Sequence, residues 1–170
     1  MTSTKLEIPT PDPATLPRLP EELVASTSFL LKRLGFAARD HALQAYERSG
    51  LHPYHHAVLA VLDEGSRETQ GAIADALGYD RGQLVGLLDE LEEGGLVERE
   101  RDPADRRRHI VRLTPDGRRA LAKLRALART LDDEFLAGLD EAERAKLHAL
   151  LFHLAQRHLP RCGPKASDEP

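Results

Sequence analysis

Apolar residues recur at three- and four-residue spacing along most of the chain, which is typical of amphipathic helices. The pattern therefore predicts a mainly helical protein with one long first helix, three shorter helices and two further long ones. The predicted helices cover residues 21–49, 53–65, 70–77 and 81–93, then about 115–138 and about 140–159.

Capping signals place the ends of several of these helices. Pro53 suits a first helical turn, where its missing amide donor costs nothing. Thr69 and Asp80 each precede a helix and can accept hydrogen bonds from its first amides. Asp140, with Glu143 three residues later, matches a capping box.

Between the fourth and fifth helices the periodicity changes from helical to alternating. Residues 96–101 and 109–113 have strand character, and the turn-forming sequence Asp-Pro-Ala-Asp begins at Asp102. The pattern predicts a β-hairpin with an arginine-rich tip. The expected fold class is mostly α (α+β), a winged helix-turn-helix with long N- and C-terminal helices that form a dimerisation region.

Two short helices joined by the turn Gly-Tyr-Asp and followed by a basic hairpin are typical of winged helix-turn-helix proteins. In that arrangement the second helix enters the major groove of duplex DNA. Arg81 can then read guanine, Gln83 can read adenine, and Gly82 permits close approach. The exposed N–H groups at the start of that helix also suit a phosphate. The predicted DNA-binding residues are Thr69, Asp80, Arg81, Gly82, Gln83, Arg99, Asp105, Arg106, Arg107 and Arg108.

The charge distribution supports a nucleic-acid partner although the chain as a whole carries a net charge of −4. Residues 99–119 contain eight arginines and only four acidic residues, so this segment is strongly basic. A local basic patch governs electrostatic steering more than the total charge does. The sequence also shows no nucleophile motif, no phosphate-binding loop and no closed metal motif, and we predict no enzymatic activity.

The remaining segments predict a homodimer with flexible ends. Residues 1–20 hold five of the eleven prolines and are expected to form a flexible arm, and residues 160–170 a disordered tail. Residues 51–117 form the predicted DNA-binding region, and the leucine-rich segments 21–50 and 118–159 the dimerisation helices. No apolar run is long enough to cross a membrane, and we expect a cytoplasmic, nucleoid-associated protein.

Residues 80–121 resemble the MarR family of bacterial transcriptional regulators, and the similarity extends over roughly residues 21–159. The family's wing pattern, Asp-x-x-Asp-Arg-Arg followed by a strand and Leu-Thr-x-x-Gly, is matched here. The matching residues are Asp102, Asp105, Arg106, Arg107, Leu113, Thr114 and Gly117. The resemblance implies an obligate homodimer on a palindromic operator, usually a repressor that a small molecule releases. It also implies that the wing aspartates orient the arginines and that Arg107 enters the minor groove. Gly82 departs from the small polar residue common at its position.

An effector pocket is expected between the dimerisation helices and the winged region, near the junction of the first two helices. Aromatic residues could line it and Arg39 could pair with an anionic group, although ordinary core packing explains the same residues equally well. The candidate lining residues are Phe36, Arg39, Tyr46, His52, Tyr54 and His55.

Eight histidines leave a zinc-responsive regulator as an alternative, with His41, His148 and His153 as weak candidate ligands. No two of these three candidates are four residues apart, the spacing that places two ligands on one helix face, so surface or interface histidines are the favoured interpretation. We predict no required cofactor. A second alternative is a winged-helix protein-interaction module that does not bind DNA.

Overall fold

The structure is a computed structural model that describes residues 17–65 and 68–159, with only the backbone of Glu68. The predicted tail, residues 160–170, lies outside the described residues, as does most of the predicted arm. Residues 17–20 form neither helix nor strand. The chain divides into two compact units, residues 1–39 and residues 40–170, and the boundary falls within a helix.

In the first unit the structure corrects the prediction of one uninterrupted helix from residue 21. A four-residue helix α1, Glu21–Val24, is followed by α2, Thr27–Ser49. Ser26 separates them because its Oγ accepts a hydrogen bond from the amide of Phe29 (3.3 Å), as an N-cap residue does. The large apolar residues exposed on α1 and on this part of α2 are Leu23, Val24, Leu30, Leu31, Leu34 and Phe36.

Among the described residues of the second unit, the end of α2 is followed by five further helices and a small antiparallel sheet. The helices are α3 (Pro53–Glu64), α4 (Gln70–Leu77), α5 (Arg81–Glu93), α6 (Pro115–Phe135) and α7 (Glu141–His158), and the strands are β1 (Glu68–Thr69), β2 (Val97–Arg101) and β3 (His109–Leu113). The strand order is β1-β3-β2. The sequence predicted β2 and β3, but β1 was missed because its two residues are too short for any periodicity. The fifth predicted helix also ends earlier, at Phe135 instead of residue 138.

The predicted caps are confirmed in the structure. Thr69 Oγ1 accepts from the amide of Ala72 (3.2 Å) at the start of α4. At the start of α7, Asp140 and Glu143 form the reciprocal pair of hydrogen bonds of a capping box. Each cap satisfies amides that a helix cannot pair internally, so these helices begin at defined residues.

The core of the second unit fixes which face of α5 is presented to solvent. Leu84, Leu88 and Leu91 are almost completely buried, at helical spacing, against α3, α4 and the sheet. The residues of the first turn, Arg81, Gly82 and Gln83, precede the first of these leucines and are exposed. Among the helices of the described residues, none combines the length and apolar character needed to cross a membrane.

Candidate DNA interface

The helix-turn-helix unit consists of α4, a short turn and α5. The turn begins at Gly78, which takes a left-handed conformation (φ 69°) that favours glycine, and α4 ends there. Arg81, Gly82 and Gln83 form the first turn of α5 and are all exposed. The structure thus presents the three predicted base-reading positions together at the start of the second helix.

Asp80 caps α5 and leaves fewer amides for a ligand than the sequence predicted. Its Oδ1 accepts hydrogen bonds from the amides of Gly82 (2.8 Å) and Gln83 (3.3 Å). The predicted cap is therefore confirmed, and the expectation that these two amides suit a phosphate is wrong, because a carboxylate of this chain already occupies them. This geometry gives Asp80 the role of fixing the start of α5.

The hairpin formed by β2 and β3 has a tip shaped by two aspartates. Asp102 Oδ1 accepts from the amide of Ala104 (2.8 Å), and Asp105 Oδ1 accepts from the amide of Arg107 (3.1 Å). Asp102 also donates its own amide to the carbonyl of Arg108 (3.0 Å), which closes the tip. The carboxylates thereby hold the backbone that carries the arginines, and this short turn, residues 102–108, is hereafter the wing tip.

Three consecutive arginines project from the wing tip into solvent. The side chain of Arg107 is 97% exposed, and Arg106 and Arg108 are also exposed. The carboxylate of Asp105 lies 3.4 Å from Arg108 Nε and 4.0 Å from Arg107 Nε. Loose pairing with one acid leaves the arginines a surplus of positive charge, which a phosphate backbone can neutralise.

A cleft of about 690 Å³ lies between the helix-turn-helix unit and the wing tip. It brings together four residues of the predicted site, namely Thr69, Arg81, Arg107 and Arg108. Gln70 and His109 also line the cleft. Neither was predicted from the sequence, although each directly follows a predicted site residue. Gly82, Gln83 and Arg106 are exposed beside these positions but do not line the cleft.

Arg99, by contrast, is engaged within the chain. Its guanidinium pairs with Glu92 and with Asp89, both on α5, and its side chain is only 20% exposed. Arg99 as a direct DNA contact thus stays a prediction that this geometry does not favour.

The predicted effector residues separate into three groups. Phe36 and Arg39 are exposed on α2 in the first unit. Tyr46 is buried, and its hydroxyl lies 2.6 Å from Nδ1 of His56, a residue that the sequence analysis did not select. Burial, together with the charge of Asp132, raises the pKa of Tyr46, so its hydroxyl stays protonated and can donate to His56.

The third group forms an aromatic cluster, defined here as His52, Tyr54, His55 and Tyr79. The ring centroids of His52 and Tyr54 are 4.7 Å apart, and those of Tyr54 and Tyr79 are 5.3 Å apart. Tyr79 comes from the turn before α5 and was also missed, since nothing local in the sequence links it to Tyr54. A separate cavity of about 530 Å³, lined by residues such as Leu51, Leu96 and Lys123, contains none of the predicted effector residues.

His55 is a buried polar side chain at the start of α3. Its Nδ1 accepts a hydrogen bond from the amide of His52 (3.2 Å), so the neutral ring carries its proton on Nε2. That Nε2 lies 2.9 Å from Glu90 Oε2 on α5. Burial lowers the pKa of His55, an effect that Glu90 opposes, and burial also lowers the pKa of His56.

These lowered pKa values predict that the protein becomes less stable in mild acid. In the unfolded chain both histidines become protonated as the pH falls below about 6.5, the usual pKa of the side chain. In the folded protein their pKa values are lower, so they stay neutral to lower pH. We therefore expect the free energy of unfolding to be constant near neutral pH and to fall from about pH 6.5 downward. Urea unfolding at pH 7.5, 6.5 and 5.5 measures it.

Two variants, a test and its control, assign this effect to His55 and His56. The double substitution His55→Gln and His56→Gln keeps hydrogen-bonding side chains and should flatten the pH dependence, whereas His153→Gln, at an exposed position, should leave it unchanged. An equal loss of stability between pH 7.5 and 5.5 in all three proteins would assign the effect to other groups.

The weak zinc candidates are not assembled into a site. His41 Nε2 lies 3.3 Å from Glu134 Oε2, His148 stacks on Phe152, and His153 is exposed. Across residues 17–65 and 68–159 there is no group of three or more potential ligands that could hold a metal ion.

Comparisons with known proteins agree on one family. The MarR family profile matches residues 49–108. A protein of Thauera aromatica, described as a transcriptional regulatory protein for the hcr operon, is 35% identical over 78% of this chain and 80% of its own length. The transcriptional repressor CouR, solved on a 23-mer DNA duplex, is 34% identical with a TM-score of 0.73, over 82% of this chain and 99% of that one. CouR from Rhodococcus jostii RHA1, solved with p-coumaroyl-CoA, is 28% identical with a TM-score of 0.65, over 78% of this chain and 94% of that one.

Proposed function

Because this chain belongs to the MarR family of transcriptional regulators, we propose that it is a homodimeric repressor released from a palindromic operator by a small molecule. The observation that carries the proposal is the basic cleft between α5 and the wing tip. There Arg81, Arg107 and Arg108 converge on a space that a DNA backbone can occupy. The relatives are regulators rather than enzymes, and the proposal includes no catalytic step.

In the proposed complex the start of α5 lies in the major groove. Arg81 and Gln83 contact base edges there, and Gly82 permits close approach. Arg106, Arg107 and Arg108 contact phosphates or enter the neighbouring minor groove. Asp80 and Asp105 support these contacts by fixing the helix start and the wing tip, since carboxylates themselves repel phosphate.

The homodimer is proposed to form through the terminal segments, residues 21–50 and 118–159. Support comes from large apolar side chains that remain exposed on helices of both units, because monomeric proteins seldom leave so many uncovered. On α6 and α7 the exposed apolar residues are Phe135, Leu150, Leu151, Phe152 and Leu154. A second copy covers them and places two α5 helices about one DNA turn, or a multiple of it, apart.

The effector is proposed to bind at the aromatic cluster and to alter the spacing of the two α5 helices. The cluster joins the start of α3 to Tyr79, directly before α5, so a molecule seated on it can act on α5 without crossing the core. The relative CouR supports a small-molecule effector, since it has been solved with p-coumaroyl-CoA. Effector and DNA binding must then weaken each other by the same factor. No metal is required, and the proposed location is the cytoplasm, at the nucleoid.

A fluorescence-anisotropy titration tests the DNA-binding function. The protein is titrated against labelled DNA from upstream of its own gene at two salt concentrations, with shuffled DNA as competitor. We expect tight, competitor-resistant binding by a dimer that weakens steeply with salt. Weak binding to this fragment but tight binding to DNA from a genome-wide selection would show that the operator lies elsewhere in the genome. No binding to any duplex at low salt would favour the protein-interaction alternative.

Replacing Gln83 by Ala tests the proposed division between base and backbone contacts. The variant cannot make a bidentate contact to adenine, at a cost of about 1–3 kcal/mol per half-site. We expect the preference for one base pair in each half-site to relax, while the salt dependence stays the same. Titration against single-base operator variants measures it. Gln156→Ala, on α7, is the control, and an unchanged preference in the Gln83 variant would remove Gln83 from the interface.

A further inference from the structure

Arg99 joins the two elements that carry the proposed DNA contacts. Its Nε donates to Glu92 Oε2 (2.8 Å), its Nη2 contacts the same carboxylate oxygen, and its backbone amide donates to Glu92 Oε1 (3.3 Å). The Nη2 group also lies 2.7 Å from Asp89 Oδ1. Side chain and backbone of one β2 residue thus hold two acids of α5.

The link between α5 and β2 consists of Gly94, Gly95 and Leu96, and its backbone amides donate to carbonyls of the last turn of α5. These bonds fix where the helix ends, but they do not reach the residues of β2 beyond Leu96. Arg99 lies beyond this link, in the middle of β2, opposite Val111 of β3. A contact at that point therefore adds a side-chain constraint on the direction in which the hairpin leaves α5, beyond the constraint from the hydrogen-bonded link.

We propose that Glu92 and Asp89 are positioning residues, which hold Arg99 so that α5 and the wing tip engage DNA simultaneously. The inference rests on the proposed DNA-binding function. It assigns a favourable effect on DNA binding to two negatively charged residues that cannot contact phosphate favourably themselves. Hydrogen bonding by Arg99 lowers the pKa of Glu92, so this carboxylate is ionised whenever DNA is bound at neutral pH.

A direct contact between Arg99 and a DNA phosphate is the competing role, and it predicts the opposite sign. If Arg99 binds phosphate, Glu92 competes for the guanidinium, and its neutralisation frees Arg99 and strengthens DNA binding. If Glu92 positions Arg99, its neutralisation loosens the hairpin and weakens DNA binding. The substitution Glu92→Gln distinguishes the roles because it keeps the size of the side chain and removes only the charge.

The experiment compares Glu92→Gln with Glu93→Gln by anisotropy titration on the operator selected with the wild-type protein. Glu93 is the neighbouring exposed acid on α5, so its variant has the same change in net charge. We expect Glu93→Gln to bind DNA as well as or slightly better than the wild type, and Glu92→Gln to bind about threefold to tenfold more weakly. Asp89→Asn should act in the same direction. Equal or tighter binding by Glu92→Gln overturns the inference.

A second comparison separates positioning from a general loss of structure. The Glu92→Gln substitution is repeated in a protein whose three wing-tip arginines are alanine. Without those arginines there is nothing for the hairpin to position, so the additional loss should nearly vanish. A loss of the same size in both backgrounds overturns the inference. If the wild-type protein binds no duplex DNA, the proposed function fails together with the inference. If the wild type binds DNA and the Glu92→Gln variant binds it more tightly, only the inference fails.

Discussion

Replacing Gly117 by Ala is expected to lower the free energy of unfolding by at least about 3 kcal/mol, at or beyond the upper end for overpacked sites. An added Cβ would overlap the backbone carbonyl oxygen of Leu96 and lie 3.2 Å from Leu113 Cδ2. The first of these neighbours is backbone and cannot rotate away. The same carbonyl accepts hydrogen bonds from the amide and hydroxyl of Thr114, so its movement breaks those bonds as well.

Thermal and urea unfolding measure this effect. A loss of about 3 kcal/mol corresponds to a drop in Tm of roughly 6–12 °C for a chain of this size. Gly86→Ala is the matched control, since Gly86 lies in the exposed middle of α5 with nothing within 4 Å of an added Cβ. There alanine should stabilise the helix by about 0.5–1 kcal/mol. Equal stability of the two variants would show that the backbone at Gly117 adjusts freely.

Gly117 also shows which part of the fold follows from sequence alone. The end of β3 and the start of α6 could be predicted, because Thr114 and Pro115 are local signals of a helix start. The close approach of Gly117 to Leu96 could not, since it depends on a residue 21 positions away. Only the resemblance of the wing pattern marked this glycine at all.

The same distinction between local and distant signals applies to the candidate site. The start of α5 and the wing tip are continuous segments with capping and turn residues of their own, so their residues could be selected from the sequence. Whether an arginine is free or paired depends on distant partners. Arg99 and Arg107 are equally basic in sequence, yet one is held by α5 and the other is almost fully exposed. Tyr46 and His56 likewise meet through packing between helices, which periodicity does not encode.

Removing all three wing-tip arginines is expected to produce the largest loss of DNA binding. In this variant Arg106, Arg107 and Arg108 are replaced by Ala. The slope of log Kobs against log salt concentration should become less steep by about 0.9 for each phosphate that the protein no longer neutralises. For the two wings of a dimer the total change in slope is roughly 2–5. Since the counterion contribution vanishes near 1 M salt, this corresponds to at least about 100-fold weaker binding at about 0.1 M salt.

Anisotropy titrations over a range of salt concentrations measure this slope, and two controls identify its cause. A variant with Arg129, Lys146 and Arg157 replaced by Ala removes three positive charges from exposed positions on α6 and α7. It should keep most of the slope, provided that size-exclusion chromatography shows an unchanged oligomeric state. Replacing the wing-tip arginines by Lys should also keep the slope, because lysine retains the charge that neutralises a phosphate, while any preference that depends on Arg107 in a minor groove is lost. If the α6 and α7 variant lost as much slope as the alanine wing variant, net charge and not the position of the wing tip would govern DNA binding.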